Sequence, residues 1–174
     1  MRFNSFEELL RYNAEKHTND VALIFDKDGE IFNVTYSEFF DGVLERKAQL
    51  EKENANCVGI LQAPSAKWLV DTFASVLAGK QTVLLDPMQE PAVIQKMVTA
   101  TDVALVLTDE LTAPYAQAVK TAPVENVEKA DGEGNILFFT SGTTNLSKAV
   151  VLTSRSLCSV SYTHLRAHET LMNL

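Results

Sequence analysis

The chain has 174 residues, 46% of them hydrophobic, which suits one domain with a sizeable core and excludes a disordered polypeptide. A formal net charge of -8, from 23 acidic and 15 basic residues, argues against a broad nucleic-acid or anionic-membrane surface but leaves room for one cationic pocket. Cys57 and Cys158 fit no metal-ligand or disulfide spacing, and Asp71, Lys80 and Asp86 interrupt the richest apolar run, so the chain reads as soluble and cytoplasmic with no membrane span.

Ser5 with Glu8 has the form of a capping box ahead of Phe6, Leu9 and Leu10, and Thr35 with Glu38 repeats it ahead of Phe39, Phe40, Val43 and Leu44. Two amphipathic helices are expected. Between them, two strand-like runs flank Asp28-Gly29, which predicts a hairpin. The stretch DKDGE lacks the other ligands of a calcium loop and reads as a solvated turn.

From Val58 the pattern alternates between strand and helix: a strand to Leu61, a helix from Ser65 to Gly79, a strand Thr82 to Leu85, a helix from Pro91, and a strand Ala104 to Leu107. That order predicts an α/β fold with a mainly parallel sheet flanked by helices. Trp68 and Met97 read as core side chains. Residues 112 to 134, polar and holding Pro114, Pro123 and DGEGN, read as an exposed connection before a strand at Ile136 to Phe139.

That strand runs into TSGTTNLSK, residues 140 to 148. Ligands of open α/β sheets collect beyond the carboxyl ends of strands, so the tract is well placed for a site. Gly142 permits close backbone approach, the hydroxyls of Thr140, Ser141, Thr143, Thr144 and Ser147 can donate hydrogen bonds, and Lys148 adds a compact positive charge. The combination suits a polyphosphate. Its spacing does not fit the Walker A pattern, and no magnesium-binding acidic motif of a kinase is evident.

FFTSGTTNLSKAVVLT resembles the phosphate-loop signature of the AMP-forming acyl-adenylate synthetases, which include acyl-CoA synthetases, adenylation domains and luciferases. The preceding TYSEFF and VGILQAPSAKWLVDTFASVLAGKQTVLLDP also resemble that family's front end, and the resemblance covers about residues 3 to 159. It implies a ligase that joins a carboxylic acid to ATP, giving an acyl-adenylate and pyrophosphate, with magnesium as cofactor. The acyl group then passes to the thiol of CoA or of an acyl or peptidyl carrier protein. By position, Thr140, Ser141, Gly142, Thr143, Thr144 and Lys148 are the implied phosphate contacts. Asn145, Ser147 and Ala149 stand where the family pattern has glycine, proline and glycine. Asn tolerates a left-handed backbone, losing the proline loosens the loop, and Ala149 narrows the room beside it.

The resemblance also implies motifs that the 174 residues do not contain: an acyl-pocket segment, a magnesium-binding Glu, a ribose-binding Asp and a catalytic Lys. Residues 1 to 159 are accordingly expected to be part of the N-terminal AMP-binding domain, inactive alone; a noncatalytic nucleotide-binding or interaction module is the alternative.

VSYTHLRAHET, residues 160 to 170, places His164 and His168 four apart, a weak zinc pattern without a third ligand. The stretch also matches the translation of a transposase adapter used in DNA sequencing, so residues 160 to 174 are expected to be a non-native tail. Removing them should change the unfolding free energy by less than about 1 kcal/mol in urea denaturation. A larger loss, or zinc binding that needs both histidines, would show the tail to be part of the protein.

Overall fold

The computed structural model describes residues 3–27, 29–116, 119–123, 132–140 and 149–159. Helix α1 (Phe6–Lys16) leads to a hairpin of β1 (Val21–Lys27) and β2 (Glu30–Thr35), then α2 (Tyr36–Leu50). Next come β3 (Cys57–Leu61), α3 (Ala66–Leu77), β4 (Gln81–Leu85), α4 (Pro91–Ala100), β5 (Leu105–Thr108), the short α5 (Ala113–Ala116), β6 (Asn135–Phe139) and β7 (Ala149–Thr153).

The main sheet has the order β5-β3-β4-β6-β7, with β5, β3, β4 and β6 parallel. β7 runs antiparallel to β6, pairing Phe139 with Ala149. The parallel α/β expectation holds, as do the hairpin and both opening helices. Side chains alternate across β3: Val58 and Ile60 join α1, α2 and α3 in one core, whereas Cys57 and Leu61 join Val83, Ile94 and Val98 in the other. Helices therefore cover both faces, with α4 opposite α3. Each fully buried Val or Ile contributes about 1.5–3 kcal/mol relative to exposure.

The helix starts follow local chemistry. Thr35 and Glu38 form the full reciprocal capping box on α2. At α1 only half of it forms: Ser5 accepts the Glu8 N–H at 3.1 Å, while the Glu8 carboxylate accepts the Asn4 N–H at 2.8 Å instead of reaching Ser5. Glu133 supplies what is missing, accepting the N–H groups of Phe6 and Glu7 at 2.8 Å each.

The described parts of 112 to 134 are mostly exposed or half-buried, as expected of a connection, with Thr112 and Gly134 buried as its anchors. Thr112 is buried, its Oγ1 2.6 Å from the Leu61 carbonyl, and the Ala122 N–H donates to Val103. A loop whose polar groups find partners can be drawn into the structure, and composition does not reveal those partners. Gly134 is the tightest point. Its N–H donates to the Val76 carbonyl at 2.7 Å, and a Cβ there would lie 1.8 Å from the Lys80 carbonyl oxygen. Gly134→Ala therefore forces backbone apart and is expected to cost about 3 kcal/mol or more in chemical denaturation. A loss below about 1 kcal/mol would contradict this packing.

Candidate functional site

β3 sends the chain into α3 on one face of the sheet, and its neighbour β4 sends it into α4 on the other. The connections diverge at their carboxyl ends, and a crevice opens where they part. The observed cleft, about 630 Å³, lies there. Gln62, Pro64 and Trp68 line it after β3, Asp86, Pro87 and Gln89 after β4, and Phe138 and Phe139 close it along β6. Trp68 and Met97 are only half-buried: each packs against one core and also lines the cleft, which qualifies the reading of both as plain core residues.

Of the candidate phosphate contacts, Thr140 is described: it is exposed and follows Phe139 at the carboxyl end of β6. Ser141, Gly142, Thr143, Thr144 and Lys148 lie outside the described residues, as do Asn145 and Ser147 and the tail with His164 and His168. Phe139, which lines the cleft, pairs with Ala149, so the chain returns to the same sheet beside the point where it left.

Beneath the cleft sits a buried carboxylate. Asp71 on α3 has a side chain 2% exposed and accepts from Arg46 Nε and Gln62 Nε2, each at 2.6 Å, and from Lys67 Nζ. Burial alone would raise its pKa. The hydrogen bonds from Lys67, Gln62 and Arg46 outweigh that and hold it below the ordinary aspartate value. Gln62 spends its second N–H on the Thr108 carbonyl at 3.1 Å, so both amide protons are committed and the amide orientation follows. Its Oε1 has no partner and is, among the described residues, the one buried side-chain N or O atom so placed.

The neighbouring loops are fixed similarly. Asp109 accepts the Ala63 N–H at 2.9 Å and the Thr112 N–H at 2.8 Å, locking the turn after β3 to the turn after β5. Asp86 accepts from the Met88 N–H and from Gln89, which shapes its own turn. These carboxylates are engaged with their loops, and among the described residues no group of three or more His, Cys, Asp or Glu side chains could hold a metal ion. The described strand ends thus offer no all-protein cage for a cation.

The AMP-binding enzyme family model matches residues 10–135, ending ahead of the hydroxyl-rich tract. The chain belongs to that family. A linear gramicidin synthase of Brevibacillus parabrevis is 30% identical over 170 residues, covering 88% of this chain and 2% of that protein. Bacitracin synthase 2 of Bacillus licheniformis is 25% identical over 177 residues, covering 94% and 7%. The chain thus spans a small part of these relatives. A similar fold occurs in an anthranilate CoA ligase solved with anthranoyl-AMP, at TM-score 0.69 and 16% identity over 89% of this chain and 34% of that one. O-succinylbenzoate CoA synthetase from Bacillus subtilis, solved with AMP, matches at TM-score 0.62 and 24% identity over 81% and 40%. The family and its structural neighbours are AMP-forming ligases. No helix among the described residues is long and apolar enough to cross a membrane.

Sequence reasoning missed Gln62 and Asp71 as parts of this region. The available signal was a carboxylate on the apolar face of α3, four residues after Lys67, and an amide closing the otherwise apolar β3. Asp71→Asn is expected to lower stability at pH 7 by about 2 to 4 kcal/mol, less than for a wholly buried pair because Lys67 is 54% exposed. Since the folded pKa is depressed, this contribution is complete above the unfolded aspartate value of about 3.9 and disappears as pH falls through the folded value. The wild-type advantage in urea titrations should therefore be level above about pH 5 and shrink in acid. An advantage that grows in acid would contradict the assignment.

Proposed function

We propose that this chain is the phosphate-binding front part of an ATP-dependent ligase that converts a carboxylic acid and ATP to an acyl-adenylate and pyrophosphate. The acyl group would pass to the thiol of CoA or of a carrier protein. The observation that carries the reading is the exit of β6: Phe139 lines the switch-point cleft and Thr140 follows it, opening a glycine- and hydroxyl-rich sequence that ends in Lys148, in a chain of the AMP-binding family. Coenzyme A ligases among the structural neighbours and peptide synthetases among the sequence relatives support the two acceptor classes.

In this reading Thr140, Ser141, Thr143 and Thr144 donate to the β- and γ-phosphate oxygens, Gly142 lets the backbone approach, and Lys148 neutralises charge. The chain alone does not complete a catalytic site. Adenylation depends on holding carboxylate and α-phosphate in line, with charge preorganised around them, and the implied ribose, magnesium and acyl contacts are outside these residues.

A charge-assisted hydrogen bond is worth about 1.5–3 kcal/mol, so Lys148→Ala should weaken ATP binding by about tenfold or more in calorimetric titration. The unmodified chain should release no carboxylate-dependent pyrophosphate. Equal ATP affinity in the variant would remove Lys148 from the site, and pyrophosphate release above background would show a complete active centre.

A further inference from the structure

The opposite edge of the sheet holds a second cavity. Strands β3 and β4 begin side by side there, with Cys57 in register with Gln81, and the Ala104 N–H ahead of β5 donates to the Cys57 carbonyl at 3.0 Å. A cavity of about 540 Å³ opens across these amino ends, within the range of about 300–1,000 Å³ common for small-ligand sites. Asn54 and Asn56 line it from the turn before β3, Thr101 and Asp102 from the end of α4, and Ala122 with Pro123 from the segment that the Ala122 N–H ties to the Val103 carbonyl at 2.8 Å.

The chemistry of this lining runs one way. It contains no Lys or Arg among the described residues. Asp102 is exposed, and its carboxylate makes no ion pair or hydrogen bond among the described residues. Gln81 turns an amide N–H toward the Cys57 sulfur at 3.8 Å, which leaves the amide oxygen to accept. The Thr101 hydroxyl donates to the Met97 carbonyl at 2.8 Å, so its remaining capacity is also that of an acceptor. Helix α4 ends here with no basic side chain in its last turn, and the negative end of its dipole is unanswered from its own surface. Asp102 sits just past that end in left-handed backbone, φ 53°, where the following Val103 N–H bonds back to the Val98 carbonyl at 3.1 Å. Burial first of all pushes the Cys57 thiol up to about 11; the Gln81 hydrogen bond opposes the rise and the charge of Asp102 adds to it, so the field of that carboxylate is felt in the cavity wall. Lys80, beside Gln81, is buried, donates to the Glu53 carbonyl at 2.8 Å and is not part of the lining. Acceptors, an unpaired carboxylate and a helix C-terminus select a ligand that brings positive charge and donors, and they disfavour anions.

We infer that this amino-edge cavity binds a small organic cation bearing several N–H groups, an ammonium or guanidinium compound, with Asp102 pairing its charge and Gln81 and Thr101 accepting its hydrogen bonds. The site lies at the other end of the strands from the cleft and does not depend on the proposed function above.

The probe is agmatine, which carries both a guanidinium and an ammonium group, titrated into the nitrogen-labelled chain and followed by amide NMR. Resonances of Asn54, Asn56, Gln81 and Asp102 should shift saturably, while the Gln62 amide and the Trp68 indole, in the cleft at the far edge, stay in place. Asp102→Asn should weaken binding about fivefold or more; asparagine accepts the same left-handed backbone, so the fold is kept. Gln81→Leu should weaken it about threefold or more. Glu110→Gln removes the same charge from an exposed position just after β5, at the carboxyl edge, and should leave the affinity within about twofold. The inference is overturned if no resonance shifts saturably, if Asp102→Asn binds equally well, or if the shifts spread over the acidic surface and Glu110→Gln costs as much as Asp102→Asn, the result expected of nonspecific attraction to a chain of net charge -8.

Discussion

A carboxylate removed from water must be met by donors, and Asp71 is where that requirement organises the molecule. Arg46 reaches it from α2, Lys67 from one turn earlier on α3, and Gln62 from the end of β3. Three elements are thereby tied at one atom pair, and the tie lies directly beneath the strand-end cleft. Apolar packing alone could hold α2 against α3. It could not fix the angle of the Gln62 amide, because dispersion contacts are non-directional whereas the two amide protons demand Asp71 and the Thr108 carbonyl.

The cleft so formed divides its chemistry unevenly. Its described lining mixes apolar side chains with Gln62, Gln89 and the carboxylate of Asp86 and holds no Lys or Arg, while the candidate cation, Lys148, belongs to the sequence that follows Thr140. In the proposed reading polyphosphate meets the tract rather than the cleft floor. A local positive charge on the tract is compatible with the chain's net charge of -8.

Much of this was legible in the sequence because it rests on local rules. The β3-α3-β4-α4-β5 run announced itself through apolar periodicity, Pro91 at the start of α4, and Ser65 as the cap of α3. The capping box of α2 was read correctly from Thr35 and Glu38, and that of α1 only in half, because Glu133 is distant in sequence and takes over the remaining donors. The same long-range chemistry hid the burial of Thr112 and the contact of Gly134 with Lys80. Composition reports that residues 112 to 134 are polar; it does not report that Thr112, Ala122 and Gly134 have partners. At the site, Thr140 to Lys148 stood out as a contiguous motif, whereas Gln62 and Asp71 acquire meaning only once α2, α3 and β5 converge on them.

The central claim is that the tract after β6 receives the terminal phosphates of ATP at the carboxyl edge of the sheet. Phosphorus NMR of ATP titrated with the chain addresses it directly, since each phosphate gives its own resonance. The account predicts that the β and γ resonances broaden and shift first and that excess inorganic pyrophosphate reverses the change. Unperturbed phosphates, or perturbation confined to the adenine protons, would contradict it.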